Sequence, residues 1–125
     1  MSRIITAVAI FVVVIGLAIF ETVYTVNISE QVKDELKQAI ESYDDDHHNE
    51  AKKHIESAEK IWKNHTGLLD TFLIHDNTEE VANEIAVAKN TLKYNSENFP
   101  VECEEAVDSL ELLIYSMLPF IDNVL

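Results

Sequence analysis

Two glycines and two prolines in 125 residues are too few to turn the many corners of a β-sandwich or barrel. They also cannot build the glycine-rich loops that cradle phosphates or dinucleotides. The single cysteine, Cys103, excludes an internal disulfide framework and any metal site built from several thiolates. Basic residues are scarce: nine Lys and Arg face 23 Asp and Glu, a net charge of -14. That balance repels phosphate backbones, so nucleic acid is not expected as a partner. Neither a nucleophile elbow nor an H-E-x-x-H pair occurs, and the run Asp44-Asp45-Asp46 lacks the glycine and spacing of a calcium-binding loop. No enzymatic activity and no cofactor are therefore expected.

What the chain has in quantity is apolar sequence, 47% of the total, and its first block is continuous. From Ile4 to Phe20 there is no charge, and Thr6 carries the lone polar side chain. Seventeen helical residues span about 26 Å, and extending to Tyr24 gives about 31 Å, enough for a bilayer core. Tyr24 suits the interface, and Glu21 falls near the edge. A cleavable signal peptide would leave through a pair of small residues spaced A-x-A. Gly16-Leu17-Ala18-Ile19-Phe20 and the residues after it offer no good site, so an uncleaved signal-anchor over residues 1–26 is expected. Arg3 and the amino group favour a cytoplasmic N-terminus, a single pass through the cell membrane, and an extracytoplasmic domain over residues 27–125.

That domain reads as helices throughout. Asn27-Ile28-Ser29-Glu30 has the form of a capping box, followed by Val32, Leu36, Ala39, Ile40 and Tyr43 at steps of three and four. Asp46 is placed to cap a second helix, whose seam of Ala51, Ile55, Ala58, Trp62, His65, Leu69 and Phe72 is heptad-like. Asn77-Thr78-Glu79-Glu80 opens a third, with Val81, Ile85, Ala88 and Leu92 in phase. Asn95 to Pro100 reads as a connector. A fourth helix follows, with Cys103, Ala106, Val107, Leu110, Leu113, Ile114 and Met117 on one stripe, and Pro119 is expected to stop it.

The fold class is thus all-α: one N-terminal transmembrane helix and an antiparallel bundle of about four helices joined by short connectors. Its core is expected from Ile55, Trp62, Leu69, Phe72, Ile85, Leu92 and Leu110. A second helix of His47 to His75 would be about 43 Å long, against about 22 Å for Ser29 to Tyr43. The mismatch predicts that the first helix continues straight out of the membrane segment, with at most a mild bend at Thr66-Gly67. Antiparallel packing returns the tail to the bilayer. Phe120, Ile121, Val124 and Leu125 would there cover the bundle end, meet lipid headgroups or face a membrane partner.

Candidate ligating groups are few. His47, Glu50 and His54 recur at i, i+3 and i+7 and form the candidate metal set, although a solvated polar turn explains them as well. His65 and Trp62 lie on the seam as core residues. Glu102, Glu104 and Glu105 around Cys103 would raise its thiol pKa, which disfavours a nucleophile.

An anchor, Ala58-x-x-x-Trp62, then Leu69, Phe72 and His75-Asp76 ahead of a capped helix ending in Leu92 and Tyr94, resembles a bacterial family. This is domain-of-unknown-function family four-three-six-three, found mainly in Firmicutes, and the resemblance covers nearly the whole chain. Thr66-Gly67 and the apolar tail after Pro119 depart from its pattern. The resemblance implies a small membrane-anchored helical protein without catalytic residues. Its members are often encoded beside small integral membrane proteins, which implies a shared complex. The leading expectation is an accessory or interaction subunit of a membrane complex, or a homo-oligomer that buries the seams. The alternative is an extracytoplasmic bundle that senses a ligand or cation.

Overall fold

A computed structural model describes the backbone over residues 1–72 and 75–124, and side chains over residues 1–65 and 78–117. Four α-helices are present there and no strand: α1 (Ser2–Asp44), α2 (His48–Phe72), α3 (His75–Tyr94) and α4 (Phe99–Val124). A 3-10 turn, Ser96–Asn98, links α3 to α4. Helix α1 is 43 residues long, about 65 Å. The expected continuous first helix is therefore the one observed. The same helix is long and apolar enough to cross a membrane.

The capping box at Asn27–Glu30 is not a helix start, because a cap needs orphan N–H groups. In the middle of α1 those groups already bond to the preceding turn, and Ser29 is buried. The helix runs unbroken through the expected domain boundary between residues 26 and 27, and full burial on α1 begins before it, at Thr22.

Helix α1 ends in a Schellman motif. Asp46 takes a left-handed φ of 63°, its N–H donates to the Tyr43 carbonyl at 3.0 Å, and the His47 N–H donates to the Ser42 carbonyl at 2.8 Å. Asp46 thus closes α1 instead of capping α2, which begins with the Ala51 N–H donating to the His47 carbonyl. Aspartate tolerates this conformation better than most residues because its short side chain bonds locally.

Helix α2 passes through Gly67 without a loop, as expected, and α3 begins at His75, ahead of the capping sequence at Asn77. Pro119 does not end α4, which continues to Val124. Proline's fixed φ suits a helix, and the carbonyl that loses its partner belongs to Tyr115, a residue 69% exposed and open to water.

Each helix packs on two neighbours: α1 on α2 and α4, and α3 on α2 and α4, in up-down-up-down order. The core takes Ile28, Val32, Leu36 and Ala39 from α1, and Ala51, Ile55, Ala58 and Trp62 from α2. Val81, Ile85 and Ala88 come from α3, and Phe99, Cys103, Ala106, Val107, Leu110 and Leu113 from α4. Leu92 is only partly buried against this cluster. The side chains of Leu69 and Phe72 lie outside the described residues. Phe99, expected in a connector, is fully buried and packs on the Tyr43 ring, with centroids 5.5 Å apart.

Candidate functional site

Among the described residues, three of the four buried side-chain polar atoms without a hydrogen-bond partner gather where the apolar rod of α1 enters the bundle; the fourth is Glu84 Oε2 on α3. Residues 2–14 are exposed on every side. From Ile15 onward one stripe is shielded: Ile15, Ala18 and Ile19 partly, then Thr22, Thr25, Ile28 and Ser29 fully. The stripe follows the steps of three and four that place residues on one face of a helix. Its polar members behave differently from one another. Thr22 Oγ1 donates to the Ala18 carbonyl at 2.9 Å. Thr25 Oγ1, Ser29 Oγ and Glu21 Oε1 are buried without a hydrogen-bond partner. A buried hydroxyl in that state costs about 1–3 kcal/mol.

Tyr24 fixes the other side of this junction. Its hydroxyl shares a hydrogen bond with His65 Nδ1 of α2, and the two rings meet edge-on with centroids 5.5 Å apart. Phe20 stacks on Tyr24 one turn below, centroids 6.1 Å apart. Spacing alone placed His65 on the seam but did not pair it. The partner is 41 residues away in the chain, which no local pattern encodes.

The candidate metal set is not brought together. His47 and Glu50 are exposed and 3.5 Å apart, whereas His54 turns toward α1 and bonds Glu35 at 2.8 Å. Among the described residues no group of three His, Cys, Asp or Glu is placed to hold a metal ion. Phe120, Ile121 and Val124 fall on the last turns of α4, and their side chains, like Leu125 as a whole, lie outside the described residues.

Three further features complete the chemistry. Cys103 is fully buried, and burial first, then the charges of Glu102 and Glu104, push its thiol up to about 12. Such a thiol holds no thiolate near neutral pH. Burial likewise raises the Glu84 carboxyl, assisted by Glu80, Glu105 and Glu102 and opposed by a hydrogen bond from Ser109. At the opposite end of the bundle, an open groove of about 400 Å³ between α2 and α3 is lined by His48, Lys52, Glu56, Lys89 and Lys93 among others. It gathers three of the chain's nine basic residues. Lys89 also reaches Glu59 at 3.1 Å.

Fold and junction together define a class: small all-α bundles whose first helix extends beyond the bundle as an apolar rod long enough to cross a membrane. The family profile described as Domain of unknown function (DUF4363) matches residues 19–124, and the chain belongs to that family. The match starts inside the apolar run, close to where burial on α1 begins. No curated protein and no solved structure matches the chain.

Proposed function

We propose that this protein is a non-enzymatic accessory subunit of a membrane complex. Helix α1 is its single anchor in the cell membrane, with the N-terminus cytoplasmic and the bundle outside. Glu21 carries this reading. It stands within the apolar span of residues 4–24, and its Oε1 is buried without a hydrogen-bond partner. An ionisable group buried without a partner near the edge of such a span is costly and is ordinarily matched by a basic or hydroxyl-bearing group on a neighbouring helix. Below it, Phe11, Leu17 and Phe20 are exposed apolar surface for such a helix to pack on.

The test is a photo-crosslinking amino acid at Leu17 in living cells. A discrete adduct with one integral membrane protein, lost in Glu21→Gln, is expected. Adducts that ignore the substitution, or that contain only this chain, would sink the proposal.

A second reading, a ligand-binding bundle, draws on the groove at the far end of α2 and α3. Its three lysines suit a small anion better than a cation. Titrating the full-length protein with inorganic phosphate and watching for shifts lost in Lys52→Ala with Lys93→Ala would decide this.

A further inference from the structure

The register of the helices sets the height of the bundle against the membrane. Along α1, Tyr24 and Glu35 are eleven residues apart; along α2 their partners, His65 and His54, are eleven apart in the opposite sense. The two helices therefore run antiparallel with no slip. Helix α2 continues seven residues past His65, to Phe72, which brings its end level with Leu17 of α1. Helix α4 gives the same answer independently. Lys33 meets Glu111 at 3.9 Å, and α4 runs thirteen residues further to Val124, level with Phe20. Both helix ends thus lie beside the apolar run Ile4–Phe20, about 10 Å below Tyr24 for α2 and about 6 Å for α4 by helical rise.

Two other observations agree. Shielding on α1 extends down to Ile15, so the bundle's base is wrapped around the upper part of the anchor itself. The sequence of both helix ends also changes character at this depth. Residues 66–72 of α2 contain one charge, Asp70, and residues 118–124 of α4 contain one, Asp122. Residues 48–65 of α2 contain seven Lys and Glu besides three His. An apolar end at the level of a membrane-spanning segment has lipid as its natural surrounding.

We infer that the base of the bundle, formed by the last turns of α2 and α4, is immersed in the outer headgroup and upper acyl region of the bilayer. The bundle is then not a domain held above the membrane on a stalk. Lipid covers its lower end, and Ser116, Tyr115 and Leu112 are the first exposed side chains of α4 above the immersed zone. This rests on α1 spanning a bilayer, and the experiment separates the two claims.

Nitroxide labels on single introduced cysteines would be placed at Val12, Phe72, Tyr115 and Phe120 of the full-length protein. Thr71 and Ile121 serve as second positions should the aromatic sites disturb folding. Native Cys103 is buried and stays unlabelled. The protein is reconstituted in vesicles of phosphatidylcholine and phosphatidylglycerol, and collision with oxygen is compared with collision with a water-soluble nickel chelate. Labels at 72 and 120 are expected to favour oxygen as Val12 does, with the ratio inverted at Tyr115. Nickel access at 72 and 120 while Val12 remains in lipid would overturn the inference and leave the anchor intact. Exclusion of both reagents at 72 and 120, and at the second positions 71 and 121 as well, would also overturn it, because a protein surface would then cover the base. Nickel access at Val12 would refute the anchor reading as well.

Discussion

Trp62 offers the sharpest check on the packing argument. It is 1% exposed at the centre of α2, and its Nε1–H donates to the Thr78 carbonyl at 3.0 Å, tying α2 to the first turn of α3. Trp62→Phe removes that hydrogen bond, worth about 1 kcal/mol. It also leaves a void of about 40 Å³, which at about 24 cal/mol per Å³ adds roughly another 1 kcal/mol. The expected loss is about 2 kcal/mol. Trp62→Ala enlarges the void and should cost about 3–5 kcal/mol, a large part of the stability of a domain this size. The assay is thermal and urea unfolding of the full-length protein in detergent micelles, followed by circular dichroism because the substitution removes the only tryptophan. A midpoint fall of about 10 °C is expected for the Phe variant. If Trp62→Phe stays within about 0.5 kcal/mol of the parent, or if the Ala variant is no worse than the Phe variant, the tie to Thr78 and the packing around the ring have been misjudged.

Four other outcomes follow from the same structure. Cys103 should resist a maleimide at pH 8 in the native protein and react fully once unfolded; equal rates would contradict its burial. Because its folded thiol is raised to about 12 from an ordinary 9.0, its stabilising contribution is fully present below pH 9 and is lost as pH rises toward 12. Cys103→Ala should flatten that alkaline decline in unfolding midpoints. Asp46→Gly should stabilise the protein by about 0.5–1 kcal/mol by relieving the left-handed backbone at φ 63°, and a destabilised variant would mean that the aspartate side chain holds the turn. Thr25→Val exchanges an unpartnered buried hydroxyl for a methyl of the same shape, so denaturant unfolding should report no loss or a gain of about 1 kcal/mol. A loss above about 1 kcal/mol would reveal a partner for that hydroxyl.

Periodicity made the helices legible, because stripes such as Ala51, Ile55, Ala58 and Trp62 need one face of a helix to make sense. The continuity of α1 was legible too, through a mismatch of lengths that only a long first helix resolves. The failures have a common cause. Capping sequences at Asn27 and Asp46 and the stop at Pro119 are local preferences of about 1–3 kcal/mol, and each yields to a helix already held by its neighbours. Phe99 was missed because it stands beside Pro100 in a polar stretch, whereas its burial depends on Tyr43, 56 residues earlier. The polar junction was least legible. Glu21, Tyr24, Thr25 and Ser29 acquire meaning only when α2 is laid beside α1, since a contact such as Tyr24 with His65 arises from register and not from spacing within either segment.

The unbroken course of α1 has a mechanical consequence. A bundle joined to its anchor by a flexible linker keeps its own orientation whatever the anchor does. Here the helix that is long and apolar enough to cross a membrane also forms one wall of the bundle, so on the proposed reading the two would turn as one lever about the membrane surface. A tilt of about 20°, ordinary for a membrane-spanning helix, would carry the Asp46 corner sideways by about 10 Å, given some 30 Å of helix above Tyr24. Bilayer thickness or a neighbouring helix that changes the tilt thereby repositions the far end of the bundle without altering a contact inside it.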